Sequence, residues 1–325
     1  MSLIKTTFAL VLTNLLAFNS AQAQTADWPS KTVKLVVPFG PGSTPDILAR
    51  LVADKLGQNL KQSFIVENRA GAGGNIGTQN VVRSAPDGYT IGVSITGPLV
   101  NNTVLYSKLG YDPFKDLAPI TLAAIQPSVL SVPTSLGVNS VQELVALLKK
   151  NPGKYNYSSV GNGTVAHLAM ELIKNKSNTY IVHIPYATSP AAVTSMIAGD
   201  TQMSALAPAA VIPQVNAGKL KALAVTTPER YASLPNVPTF KEAGIADIEA
   251  TAWIGIVVPA AVPAALQEKI NREFVAALKD PGVVEKLRTQ YMEPVGNSQK
   301  DFAAFMQAEL KRWTPIIQRN KIVLD

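Results

Sequence analysis

The sequence contains no cysteine, which excludes disulfides, thiolate metal sites, a cysteine nucleophile and a lipid-modified N-terminal cysteine together. Histidine is almost as scarce: His167 and His183 are the two present. They lie far apart in sequence and no Asp-x-Asp-x-Asp-Gly loop accompanies them, so no metal-ligand constellation is present and neither a metal nor a cofactor is expected. The Gly-x-Ser-x-Gly elbow of many serine hydrolases is also missing. A triad of Ser43, Asp46 and His167 would form only if separate lobes closed on each other, and no motif supports one, so no enzyme activity is expected. Aromatic residues make up 6% of the chain, and the formal charge of +7 is scattered rather than gathered into runs. A nucleic-acid groove needs basic residues on one face with stacking aromatics, so no nucleic-acid partner is expected. The charge serves solubility or mild attraction of anions.

Long apolar runs are confined to the start of the chain. Lys5 precedes the run from Thr6 to Phe18, and Ala21-Gln22-Ala23 follows it. A basic end, a short hydrophobic middle and a small-x-small site describe a secretory signal peptide over residues 1–23, cut before Gln24. The run is too short to span a bilayer comfortably. A mature chain of about 300 residues can bury a large core and form two lobes.

From Trp28 onward, short β-rich runs alternate with amphipathic helices, the signature of an α/β fold. The organising stretch is Val33 to Arg50. Val33, Leu35, Val36 and Val37 form a strand, and Ile47, Leu48, Leu51, Val52 and Leu56 recur at helical spacing. Between them, Gly40-Pro41-Gly42-Ser43-Thr44-Pro45-Asp46 makes a turn, with Thr44 read as the N-cap and Pro45 as the first helical residue. The unpaired amides of that first turn would face the end of the strand and suit an anion. Asp46 has two readings, organiser of the loop or direct ligand contact; the first is favoured because its charge would repel a carboxylate.

The device returns at Lys154 to Ser158, Ser159 to Thr164, and the helix from Val165 to Lys174, capped by Thr164. A strand at Tyr180 to Pro185 leads to a helix with Ser189 as N-cap and Pro190 first. Thr201 to Leu206 and Leu220 to Thr226 are further strands. Asn68 to Gly74 is glycine-rich but is not a phosphate loop, since no Gly-Lys-Ser/Thr follows. His167 sits near the positive end of its helix, which suits a neutral, hydrogen-bonding imidazole. His183, between Val182 and Ile184, reads equally as a satisfied sheet residue or a ligand contact. Extended runs at Pro119 to Val132 and Leu220 to Val258 bracket the middle of the chain and imply two crossovers. The lobes are expected at residues 24–123 with 226–325, and at 124–225. Phe39, Gly40, Gly42, Ser43 and Thr44 in one turn and Ser158, Ser159, Gly161, Asn162, Gly163, Thr164 and His167 in the other offer amides and hydroxyls that can fix a carboxylate without a buried arginine.

Seven blocks in order, among them WPSKTVKLVVPFGPGSTPDILAR, VENRAGAGGNIG, YNYSSVGNGTVAHLAMEL and HIPYATSPAAVTSMIAGDTQ, resemble the Bug, or TctC-like, extracytoplasmic solute-binding proteins of tripartite tricarboxylate transporters. The resemblance covers nearly the whole mature chain. It implies a type II periplasmic-binding-protein fold, two α/β lobes joined by crossover strands, closing over a small carboxylate in the cleft. By position, it puts Phe39, Gly42, Ser43, Thr44 and Asp46 at one wall. Ser159, Gly161, Gly163, Thr164 and His167 form the other, with Tyr186 and Ala187, then Ala207 and Pro208, from the next two loops. The implied partners are a small organic acid and membrane transporter subunits, with a membrane sensor kinase as the alternative, and the protein is expected to be a periplasmic monomer. Relatives commonly carry a second glycine where Ser43 stands and a lysine-glycine pair where Ala187-Thr188 occurs. The added hydroxyl and the missing cation suit a less charged or more apolar acid than citrate.

Overall fold

The computed structural model describes residues 28–320 and 322–324. The expected signal peptide, residues 1–23, and its cut between Ala23 and Gln24 lie outside them. The chain opens with β1 (Val33–Val37), α1 (Thr44–Leu60), β2 (Phe64–Asn68), α2 (Asn75–Val82) and β3 (Thr90–Ile95). A π-helical turn, Gly97–Asn101, runs into the short α3 (Asn102–Leu105), and β4 (Leu117–Gln126) follows. Next come β5 (Val129–Pro133), α4 (Val141–Lys150), β6 (Asn156–Ser159), α5 (Val165–Ser177), β7 (Val182–Pro185), α6 (Ser189–Ala198), β8 (Met203–Leu206), α7 (Pro208–Asn216) and β9 (Leu220–Val225). The chain ends with β10 (Ala252–Pro259), α8 (Ala264–Leu278), α9 (Pro281–Thr289), β11 (Glu293–Pro294) and α10 (Gln299–Arg319).

The strands form two sheets of one design. The first is ordered β2-β1-β3-β10-β4-β11 and the second β7-β6-β8-β5-β9. In each, the first two β-α units give parallel strands, β1 with β2 and β3 in one lobe and β6 with β7 and β8 in the other. Each also holds one antiparallel strand beside the third, β10 against β3 and β5 against β8. That strand arrives from the opposite lobe: β5 directly after β4, and β10 after β9. The chain therefore crosses between the lobes twice, and the crossings are bonded together. Ser128 N donates to Thr226 Oγ1 at 2.9 Å, Thr226 N to the Ser128 carbonyl at 3.0 Å, and Ala250 N to the Thr226 carbonyl at 3.0 Å.

The central strands read as unbroken apolar runs because both faces are covered. β1 buries Val33, Leu35, Val36 and Val37, with Lys34 alone exposed. Leu35 and Val37 pack under α1 and α8 with Ile91, Val93, Ile256 and Phe274, while Val36 packs on the other face with Leu99, Trp253 and Phe302. In the second lobe, Tyr157, Leu168, Met170, Met203 and Leu223 lie on one face. Val129, Val193, Met196 and Val211 lie on the other. The last helix belongs to both cores: Phe302 and Met306 join the first, Trp313 and Ile317 the second. Phe240, Ala243 and Ile248, from the connection between β9 and β10, also pack in the second core.

α2 approaches β1 so closely that position 77 has no room for a side chain. A Cβ there would lie 2.6 Å from the Arg69 carbonyl oxygen and 2.7 Å from Pro38 Cα, both backbone atoms. Gly77→Ala is expected to cost about 2–3 kcal/mol through forced backbone displacement. The check is urea unfolding, in which the midpoint should fall with the slope unchanged.

Candidate functional site

Parallel strands direct their carboxyl ends to one edge of each sheet, and open α/β sheets bind ligands just beyond that edge. All fourteen residues singled out from the sequence for ligand contact lie there: five after β1, five at or after the end of β6, two after β7 and two after β8. The turn after β1 is built around a carboxylate. Asp46 is buried and accepts from Gly42 N at 2.9 Å, Arg50 Nε at 3.0 Å, Arg50 Nη2 at 2.9 Å and Asn68 Nδ2 at 2.9 Å. Asn68 also donates to the Phe39 carbonyl at 2.8 Å. Burial pushes the Asp46 carboxyl up, but the hydrogen bonds from Arg50, Gly42 and Asn68 outweigh it and hold the group below its ordinary range. Both oxygens of Asp46 are thus engaged in holding the turn, the organising role. Arg50 is occupied by the same carboxylate.

The N-cap of α1 is Ser43, not Thr44; the helix begins at Thr44 and Pro45 is its second residue. Two adjacent hydroxyl residues before a proline satisfy the capping preference equally, and the extended backbone at Ser43 (φ −70°, ψ 156°) decides between them. Ser43 makes no side-chain cap bond, and its Oγ is buried without a partner. The same one-residue shift occurs at α6, where Thr188 rather than Ser189 is the cap and accepts from Ala191 N at 3.3 Å.

The turn after β6 is one hydrogen-bonded unit. Gly161 N donates to Ser159 Oγ at 3.1 Å, Thr164 Oγ1 to the Gly161 carbonyl at 2.8 Å, His167 N to Thr164 Oγ1 at 3.4 Å, and Gly163 N to His167 Nδ1 at 3.1 Å. Tyr186 N reaches the Ser159 carbonyl at 2.9 Å, which ties in the loop after β7. Ala187 is exposed on that loop, while Ala207 caps α7 and Pro208 begins it, buried. The amides of Gly42, Gly161 and Gly163 are therefore held inside their own turns. The donors left available to an anion are hydroxyls and first-turn amides of α1 and α5, which no carbonyl of their own helix can reach.

Behind the second turn lies a stack that sequence spacing did not disclose. His167 and His183 are parallel at 4.1 Å between ring centroids, and His183 lies 4.8 Å from Tyr157. The pairing of β6 with β7 sets Tyr157 opposite His183, and α5 lays His167 on top. His183 Nε2 and Ser159 Oγ are 2.6 Å apart, and the Tyr157 hydroxyl donates to Glu171 at 2.5 Å. Burial, with Lys174 adding to it, lowers His167 to about 4; burial and the neighbouring His167 lower His183 to about 3. Both imidazoles are neutral at ordinary pH, and His167 accepts through Nδ1, so its proton is on Nε2.

The two carboxyl-end edges face each other. Asn101 Nδ2, in the π turn of the first lobe, reaches the Gly163 carbonyl of the second at 3.4 Å. A Cβ at Gly97 would lie 3.8 Å from the same oxygen, and one at Gly73 would lie 3.8 Å from the Asn162 carbonyl. The segment Thr96 to Asn101 thus borders the cleft, although the sequence reading assigned it no role. The available signal was internal equivalence: Thr96-Gly97-Pro98 follows β3 as Ala207-Pro208 follows β8, its counterpart. The carboxyl edge of the first lobe also gathers buried polar atoms without partners, Thr96 Oγ1 and Asn101 Oδ1 besides Ser43 Oγ.

Two matched α/β lobes, crossed twice by the chain and facing each other through their carboxyl-end edges, define the two-lobed fold of the periplasmic binding proteins. Within it, this chain belongs to the tripartite tricarboxylate transporter family receptors, whose pattern matches residues 48–322. It is 35% identical over 306 residues, 94% of this chain and 91% of the other, to the UPF0065 protein from a tcbD–tcbE intergenic region of a Pseudomonas species. Among solved structures, a protein of R. palustris determined with adipate is 34% identical with a TM-score of 0.86, covering 90% of this chain and 98% of its own. MatC from Rhodopseudomonas palustris with bound malate is 27% identical with a TM-score of 0.82, covering 89% and 100%. The family is one of receptors, and in this chain Asp46 is bonded to Arg50 and Asn68 rather than to a histidine. Among the described residues, no helix is long and apolar enough to cross a membrane.

Proposed function

We propose that this protein captures one small organic carboxylate, an aromatic or aliphatic mono- or dicarboxylate, and delivers it to the membrane subunits of a tripartite tricarboxylate-type transporter. It does so in the periplasm, by hinge closure of the two lobes and without a covalent step. The observation that carries this reading is the pairing of two strand–turn–helix edges across the cleft, one built on Asp46 and the other on Ser159 and His167, with no side-chain cation among the described residues of the turns after β1 and β6, 38–43 and 160–164. Arg50 is neutralised by Asp46 and Lys174 by Glu171. A carboxylate would be held by hydroxyls, first-turn amides and ordered water, donors that stabilise one or two charges without the concentrated positive field that citrate would require. Solved structures of relatives with adipate and with bound malate support the chemical class.

The test is a thermal-shift screen of the mature protein against carboxylates, followed by calorimetric titration with adipate, malate, terephthalate, nicotinate, glutamate and citrate. A ligand that binds only the folded state raises the melting temperature, by an amount that grows with concentration over Kd. At least one mono- or dicarboxylate is expected to give such a shift. Binding of citrate alone would overturn the ligand class, and no shift with any acid would overturn the receptor reading.

A further inference from the structure

The carboxyl end of β3 carries two polar side chains that the cleft described so far leaves unused. Thr96 is 1% exposed and Asn101 is fully buried. Thr96 Oγ1 and Asn101 Oδ1 have no hydrogen-bond partner. Buried polar atoms of this kind are uncommon because desolvation without a partner is costly, and each one calls for an occupant or a reason. Thr96 and Asn101 stand at the two ends of the π turn Gly97–Asn101, an irregularity that recurs at functional sites. The turn also lies on the inter-lobe boundary, where Asn101 Nδ2 donates to the Gly163 carbonyl at 3.4 Å. That contact fixes the orientation of the amide: the nitrogen must face Gly163, so the unpartnered atom is the oxygen, an acceptor. The Thr96 hydroxyl can donate or accept.

We propose that Thr96 and Asn101 form a neutral subsite of the acid cleft that reads a hydroxyl group beside the ligand's carboxylate, with Thr96 as a specificity-determining residue. The proposal rests on the carboxylate-receptor reading and deepens it. Thr96 Oγ1 donates to an oxygen of the acid, and Asn101 Oδ1 accepts from the ligand's hydroxyl. An acid without a hydroxyl leaves that acceptor buried and unsatisfied, the arrangement that discriminates most strongly between otherwise similar ligands. The preferred ligand is therefore a hydroxylated carboxylate. The equivalent edge of the second lobe, Ala207-Pro208, carries no such groups, so the two halves of the cleft divide the work: the first recognises the polar end of the acid and the second packs against its carbon frame.

The experiment is calorimetric titration of the mature protein with paired acids that differ by one hydroxyl next to a carboxylate, malate against succinate and mandelate against phenylacetate, in the wild type, Thr96→Val and Thr96→Ser. The wild type is expected to bind the hydroxylated member of at least one pair roughly tenfold or more tightly than its partner. Thr96→Val keeps the shape and removes the hydroxyl; it is expected to weaken that ligand by roughly tenfold, with an unliganded melting temperature equal to or above that of the wild type. Thr96→Ser is expected to restore binding. Wild-type binding without preference for the hydroxylated acid would overturn the subsite, as would a Thr96→Val protein that binds like the wild type but melts lower, since the hydroxyl would then be structural. If the wild type binds none of these acids nor any other carboxylate, the receptor reading itself fails.

Discussion

Replacing Glu309 by alanine is expected to destabilise the folded protein by about 3 kcal/mol or more. Glu309 is 4% exposed, on the stretch of α10 that passes from one lobe's core to the other's. Its Oε2 accepts from Trp253 Nε1 at 3.0 Å and from Trp313 Nε1 at 3.1 Å, and its Oε1 from Arg312 at 3.1 Å. Trp253 packs edge-on against Phe302 and Phe305 in the first core, while Trp313 lies in the second. One carboxylate oxygen therefore joins the two lobes through two indoles, each almost fully buried. Alanine would strand both indole N–H groups, at about 1–3 kcal/mol each. The exposed side of Arg312 contributes little. Glu309→Gln keeps an acceptor oxygen and should lose roughly half as much. Calorimetric melting separates these outcomes: Glu309→Ala should melt on the order of 5–10 °C lower. An alanine variant with the wild-type melting point would show that the indoles find other acceptors and that no clamp exists.

The same clamp shows what a sequence can and cannot disclose. Repeating strand–turn–helix patterns made both lobes visible, because buried parallel strands must be apolar and short and their helices amphipathic. Thr164 caps α5 as its place before the apolar helix Val165 to Lys174 predicts. The caps of α1 and α6 were each placed one residue late, since Ser43-Thr44 and Thr188-Ser189 offer the same chemistry twice. The segment from Gly97 to Leu105 was not legible. A π turn has no short-range period, and Asn101 and Asn102 act through tertiary partners, the Gly163 carbonyl and Asn75. For the same reason nothing in the spacing of Tyr157, His167 and His183 announced a stack, whose register comes from the pairing of β6 with β7 and the docking of α5. Local chemistry was readable where one element supplies it; contacts between elements became visible only in the fold.

That stack sets the second large effect. Between pH 6.5 and about pH 4 the protein is expected to lose about 3 kcal/mol of stability through His167 alone. The unfolded imidazole takes up a proton below about 6.5, but in the folded state burial and Lys174 delay that step to about 4. The unfolded chain therefore binds more protons throughout this window, so stability is full above pH 6.5 and falls as pH falls through it. His183, lowered to about 3, extends the loss in the same direction. Asp46, held below the ordinary carboxylate range, also loses its contribution as pH falls, but at the acid end of the profile, where carboxylates titrate. Urea unfolding from pH 7.5 to pH 4 would measure the slope, and His167→Asn would identify its source. Asparagine offers an acceptor to Gly163 N but has no titrating group, so the turn at Gly161 to Thr164 should persist while the slope between pH 6.5 and 4 flattens. An unchanged slope in that variant would show that His167 is not the source of the acid sensitivity. The expected result ties stability to the turn after β6: a neutral imidazole holds the Gly163 amide at 3.1 Å, and protonation at Nδ1 would remove that acceptor from the turn.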